Sequence, residues 1–66
     1  MSKEQLIENI VYLINVYIPA REDLKTLIKK DIGAVKYILA EIDKNKEIEY
    51  SKNDLDLIQD IVYFFV

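Results

Sequence analysis

The sequence predicts an all-α fold, a small helical bundle formed by a single domain that spans residues 1–66. Two observations carry this prediction. Serines suited to act as helix N-caps precede apolar stretches near both ends of the chain, and the apolar residues between them recur every three or four positions, as on one face of a helix. The patterns predict three helices, or four if the middle helix breaks at Gly33, the only glycine.

The first helix is predicted to begin after Ser2, to include the stretch from Gln5 to Ile18 and to end at about Ile18. Ser2 and Gln5 have the spacing of a capping box, in which each side chain bonds the backbone N–H of the other residue. The helix should end before Pro19, because proline disfavours the α conformation in the residue that precedes it. One broad apolar face is filled by Leu6, Ile7, Ile10, Val11, Leu13, Ile14, Tyr17 and Ile18. A buried strand is the competing interpretation, since β-branched and aromatic residues are frequent here.

The middle helix is predicted to run from Ala20 to about Lys44, with Pro19 in its first turn, where a missing N–H costs nothing. Its apolar residues lie on one face if the helix is unbroken, and they are Leu24, Leu27, Ile28, Ile32, Val35, Ile38, Leu39 and Ile42. Because a break would normally shift this phase, we favour one long helix over two short helices hinged at Gly33. Asp31 falls within the apolar face. We interpret Asp31 as a residue at the edge of this face or as the cap of a break in the helix. The less favoured interpretation is a polar group within an interface, where it would fix the register.

The last helix is predicted from Lys52 onward, after a polar connection from Asp43 to Glu49. Ser51 is a suitable N-cap, and Asp54 can take the acidic position of a capping box, less well than a glutamate. Two apolar stripes follow, one made of Leu55, Ile58, Val62 and Phe65, the other of Leu57, Ile61 and Phe64. We expect Phe64 and Phe65 both to be largely buried, one in the protomer core and one near an interface.

The missing residue types restrict the chemistry. The chain has no cysteine and no histidine, which removes disulfides, Cys/His metal sites and the side chain best suited to acid–base catalysis at neutral pH. No hydroxyl group has an obvious activating neighbour, and one glycine cannot build a phosphate-binding loop. We therefore expect no enzyme activity, no catalytic residue, no cofactor, no metal and no small-molecule substrate.

The charge and hydropathy patterns also argue against membranes and nucleic acid as partners. The longest uncharged run, from Asn9 to Ala20, is too short to cross a bilayer, and no signal-peptide pattern is visible. The net charge of −3 gives no electrostatic reason to bind nucleic acid. These features predict a small acidic protein of the cytoplasm.

Protein–protein association is the expected function. A chain of 66 residues without disulfides or metals is marginally stable alone, and oligomerisation is the remaining means of stabilising it. Two predicted helices also carry more apolar residues than a three-helix core can cover, and exposed apolar patches mark interaction sites. The partner is expected to be a second copy in a homodimer, or a larger protein that this chain regulates. Candidate interface residues are Tyr12, Val16, Leu57, Ile61, Phe64 and Asp31.

Nucleic-acid binding is the alternative. The segment from Leu24 to Ile42 partly resembles the helix-turn-helix motif. The residues that match its apolar positions and its turn glycine are Ile28, Ile32, Gly33, Ala34, Leu39 and Ile42. The resemblance implies a recognition helix from Val35 to Asp43. The segment departs from the motif at Lys29, which occupies the place of the small residue that lets the two helices approach.

The implied recognition helix has an unfavourable charge pattern. Lys36 and Tyr37 are suited to contact phosphates and bases, but Glu41 and Asp43 lie on the same short helix. Recognition of DNA needs several basic residues on one face, and carboxylates there repel the phosphate backbone. We therefore expect no nucleic-acid partner.

Overall fold

The computed structural model of the chain describes all 66 residues and contains four α-helices. They are α1 (Lys3–Tyr17), α2 (Glu22–Lys30), α3 (Val35–Asn45) and α4 (Lys52–Phe65), and a 3₁₀ turn, Ile32–Ala34, separates α2 from α3. No residue lies in a β-strand. The predicted all-α bundle is therefore confirmed, in its four-helix form.

The predicted capping box starts α1. Ser2 Oγ accepts a hydrogen bond from the Gln5 backbone N–H at 3.1 Å, and Gln5 Oε1 accepts one from the Ser2 backbone N–H at 2.9 Å. The helix ends at Tyr17, and Ile18 leaves the helical conformation ahead of Pro19, as the steric restriction before proline requires. The alternative of a buried strand in this segment is wrong.

The connection from α1 to α2 corrects one prediction. Pro19 and Ala20 form a turn, which is closed by a hydrogen bond from the Arg21 N–H to the Ile18 carbonyl at 3.0 Å. Because α2 begins only at Glu22, Pro19 does not lie in its first turn. The fixed φ of proline suits a turn as well as a helix start, so both positions satisfy the same local preference.

The prediction of one unbroken middle helix is wrong, and the alternative of two shorter helices is observed. The break is at Asp31, whose backbone is extended at φ −140° and ψ 97°. Its carboxylate accepts a hydrogen bond from the Gly33 N–H at 2.9 Å and so caps the 3₁₀ turn. Gly33 has no positive φ, so the break does not depend on its conformational freedom. After one extended residue and the tighter 3₁₀ turn, α3 begins in an orientation that keeps its apolar face directed toward the core.

The polar connection before α4 is shorter than predicted. Asp43, Lys44 and Asn45 belong to the last turn of α3, and the connection is Lys46–Ser51. Lysine is a good helix former and is favourable near a helix C-terminus, where it complements the dipole. High polarity here therefore marks exposure of the helix to solvent and not the absence of a helix.

A single cluster of apolar side chains forms the core, and α1 lies at its centre. α1 packs against α2, α3 and α4, whereas α4 packs chiefly on α1. The cluster contains Leu6, Ile10, Leu13, Ile14, Tyr17, Ile18, Leu24, Ile28, Ala34, Val35, Ile38, Ile42 and Ile61. Only one of these residues, Ile61, comes from α4. The first three helices thus supply almost the whole core, and α4 covers one side of it.

Candidate interaction surface

The first turn of α4 is anchored to α1 by a buried carboxylate. Asp54 accepts a hydrogen bond from the Tyr17 hydroxyl at 2.5 Å and another from the Tyr12 hydroxyl at 2.9 Å. Asp54 is the only charged residue that the fold buries, and no buried side-chain polar atom is left without a hydrogen-bond partner. Burying a charge is costly unless the charged group accepts or donates hydrogen bonds. The two tyrosine hydroxyl groups therefore offset the cost of burying the Asp54 carboxylate.

Tyr17 extends this anchor to the connection that precedes α4. Its hydroxyl oxygen also accepts a hydrogen bond from the Ser51 N–H at 3.1 Å, and its backbone carbonyl accepts one from the Glu47 N–H at 3.3 Å. Its ring meets the Tyr50 ring edge to face, with centroids 4.9 Å apart at 71°. Both ends of the Lys46–Ser51 connection are therefore tied to one residue at the end of α1.

The electrostatics of the anchor follow from its hydrogen bonds. The bond from Tyr17, helped by Tyr12 and Ser51, holds the pKa of the Asp54 carboxyl below its usual value, although burial acts in the opposite direction. The bond to Asp54 raises the pKa of Tyr12. Burial, aided by the nearby Asp43 carboxylate, raises the pKa of Tyr50 to about 12. Around neutral pH the anchor therefore combines an ionised Asp54 with a protonated Tyr12 donor.

Sequence reasoning identified the N-cap of α4 but not the role of Asp54. Ser51 Oγ accepts from the Asp54 N–H at 3.1 Å, which confirms Ser51 as the cap. The Asp54 side chain does not complete a capping box, because the Ser51 N–H bonds to Tyr17 instead. One feature of the sequence indicated this. The capping-box position holds an aspartate in place of the usual glutamate, and the shorter aspartate side chain reaches the backbone N–H of the N-cap residue less well.

Much of the apolar surface of α4 stays exposed. Leu55 is 44% exposed, Val62 43% and Phe64 56%. Tyr63 is almost fully exposed, and its ring packs edge to face on that of Phe64, with centroids 5.0 Å apart. Leu57, Ile58 and Phe65 are half-buried against the core. The outer side of α4 is thus the main apolar surface that the bundle leaves uncovered.

The structure places the predicted interface residues in different environments. Tyr12 and Val16 lie on the surface of α1, but the Tyr12 hydroxyl is already bonded to Asp54. Leu57 is half-buried, and Phe64 is exposed. Ile61 is fully buried within the protomer, so it is a core residue that a partner cannot reach.

Within the protomer Phe65 is half-buried against the core and Phe64 is exposed, so neither is largely buried by the chain's own fold, and the burial of one of them in an interface stays a prediction. The reason is the narrow contact between α4 and the bundle. A helix that packs mainly on one neighbour buries a single stripe, and the side chains flanking that stripe remain in solvent.

The remaining predicted residue, Asp31, is exposed and caps the 3₁₀ turn. Close by along the chain, Lys29, Lys30 and Lys36 are also exposed. Glu41 on the implied recognition helix is paired with Arg21 at 3.1 Å.

Arg21 joins two carboxylates at the start of α2. It bonds Asp23 through Nε at 3.0 Å in addition to Glu41. These bonds raise the pKa of Arg21, and the Arg21 guanidinium holds the pKa of Asp23 below its usual value. Arg21 and Asp23 are partly solvent-exposed, so the pair stabilises the fold only slightly.

Features that would suit a metal or a small ligand are sparse. No group of three or more His, Cys, Asp or Glu side chains is arranged to hold a metal ion. The one pocket is an open cleft of about 200 Å³ lined by Ile18, Pro19, Ala20, Arg21, Asn45 and Glu47. None of the four helices combines the length and apolar character needed to span a bilayer.

No protein-family model, curated protein or solved structure matches this chain.

Proposed function

We propose that the protein is a non-enzymatic protein–protein interaction module that self-associates through the apolar surface of α4. One observation supports this most directly. Of the apolar side chains that α4 carries, only Ile61 is fully buried, and Leu55, Val62, Tyr63 and Phe64 remain exposed. Neighbouring apolar side chains exposed on one helix are typical of an interaction site, whereas isolated ones need no explanation.

The energetics of a small chain favour the same proposal. A 66-residue chain buries a modest share of its surface, and this chain has no disulfide to stabilise it. Covering the outer side of α4 would remove further apolar surface from water, at about 25 cal/mol for each Å². It would also add contacts to the helix that has fewest partners within the protomer.

Sedimentation equilibrium across a range of micromolar concentrations tests self-association. We expect the average mass to rise with concentration from the 7.8 kDa of one chain toward twice that value. The low-concentration end of the series serves as the internal control, because a homodimer must dissociate on dilution. A constant mass of one chain throughout the series would contradict the proposal.

Nucleic-acid binding through α2 and α3 is the second candidate. The observation that favours it is the short break between these helices, together with the exposed Lys29, Lys30 and Lys36. Against it stands the net charge of −3. If it is correct, a duplex-binding titration should show affinity that falls steeply between low and moderate salt, as counterion release requires. We expect no such binding.

A further inference from the structure

The exposed side of α4 divides into two rows of different charge. At 100° per residue, Leu55, Gln59, Val62 and Val66 lie within about 60° of one another, and all four are exposed. We call these residues the neutral row. Asp56, Asp60 and Phe64 follow one another at spacings of one turn and form the acidic row. Both rows offer apolar area, but only the neutral row is free of ionised side chains.

Charge decides which row can meet a second copy of the chain. In a two-fold symmetric contact each surface faces itself, so the carboxylates of the acidic row would approach their own symmetry mates. Like charges opposed in this way weaken association. The neutral row has no such penalty. Its single polar member, Gln59, has an amide that both donates and accepts, and it can therefore bond its own copy across a two-fold axis.

We infer that a second copy of this chain docks on the neutral row, with α4 packed antiparallel to α4 of the partner subunit. This inference rests on the self-association proposed above and adds the surface and its geometry. With the two-fold axis near Gln59, Leu55 lies opposite Val62 of the partner subunit. The single polar pair at the axis then fixes the register, as buried polar residues do in coiled coils.

Lys52 favours the antiparallel direction. It lies three residues before Leu55, at the start of α4, and it makes no ion pair within the protomer. A positive charge at the start of a helix is unfavourable to that helix, but it is favourable beside the final turn of another. The final turn of α4 contains no basic residue of its own. An antiparallel arrangement brings Lys52 near that turn of the partner subunit.

Disulfide trapping tests this geometry cleanly, because the chain has no native cysteine. We would compare Leu55→Cys, Val62→Cys and, as the matched control on the acidic row, Phe64→Cys. A disulfide needs the two Cα atoms within about 7 Å. We expect a mixture of the Leu55→Cys and Val62→Cys chains to cross-link faster than either chain alone, and the Phe64→Cys chain to cross-link slowest.

Charge complementation provides a second, independent measurement. Gln59→Glu and Gln59→Lys should each weaken self-association by about tenfold or more, because like charges then meet near the axis. An equimolar mixture of the two variants should recover the affinity of the unmodified chain. Circular dichroism of each variant checks that the bundle is intact, which is expected because residue 59 is exposed.

The outcomes separate the geometry from the proposed function. If the unmodified chain dimerises but Phe64→Cys cross-links fastest, the acidic row is the interface and this inference is wrong, while self-association stands. If Leu55→Cys or Val62→Cys cross-links alone as fast as the mixture, the antiparallel register is wrong. If the Gln59 variants dimerise normally, the neutral row is not buried. A monomer at every concentration overturns both proposals.

Discussion

The helices α1 and α4 are similar in sequence character but differ in how much of their apolar surface is buried. They contain 15 and 14 residues, and each starts with a serine N-cap. α1 buries five apolar residues within the helix, whereas α4 buries only Ile61. The difference arises from position, because α1 packs against the other three helices and α4 packs mainly on α1. The sequence of a helix therefore shows how many apolar side chains it carries. The number of neighbouring helices determines how many of those side chains are buried within the protomer.

Alanine substitution at matched positions should produce the largest contrast between these two helices. Ile10→Ala in α1 should lower the free energy of unfolding by about 2–5 kcal/mol, because it leaves a cavity at a fully buried site. Val62→Ala in α4 should change it by less than about 0.5 kcal/mol, since the side chain is exposed. Urea unfolding at equal, low micromolar chain concentration measures both. A large loss for Val62→Ala in the monomeric range would mean that α4 is covered within the protomer.

Removal of single hydroxyl groups examines the polar attachment of α4 to α1. Tyr17→Phe should lower the free energy of unfolding by about 1–3 kcal/mol, because the buried Asp54 carboxylate loses its shorter hydrogen bond. Tyr12→Phe is the matched control and should cost less, since Tyr12 is 46% exposed and water can replace its hydroxyl. Equal losses for the two variants would show that Asp54 is more accessible to solvent than the structure indicates.

Acid should weaken the attachment of α4 before it affects the apolar contacts of α1. The folded state lowers the pKa of Asp54, so this group contributes stability above its unfolded pKa of about 3.9, and the contribution is lost as pH falls through the folded-state pKa. We expect the stability difference between the unmodified chain and Asp54→Asn to shrink as the pH falls below about 4. Urea unfolding of both chains over this range measures it, and a difference independent of pH would exclude an ionised Asp54.

Local patterns in the sequence predicted those features whose causes are local. The Ser2–Gln5 capping box spans four consecutive residues and is present as expected. The break beside Gly33 was only the less favoured alternative, because the extended Asp31 and the 3₁₀ turn preserve the apolar phase, so periodicity alone cannot distinguish it from a continuous helix.

Features that depend on packing between helices could not be predicted in this way. The partners of Asp54 lie 42 and 37 positions earlier in the chain, and no spacing rule connects them. Likewise, Ile61 and Val62 are equally apolar neighbours. The rotation of α4 about its own axis determines that Ile61 enters the core and Val62 faces solvent.

The single fully buried apolar side chain of α4 has a consequence for hydrogen exchange. A helix held by few buried contacts opens locally at a smaller free energy than the whole protein requires to unfold. Amide protons of α4 should therefore exchange with solvent through detachment of this helix alone, while amides in the middle of α1 exchange only when the entire bundle unfolds. Detachment also exposes Asp54 to water. Water then hydrates the ionised carboxylate and offsets part of the cost of losing its hydrogen bonds from Tyr12 and Tyr17, so we expect α4 to open as a separate cooperative unit of the fold.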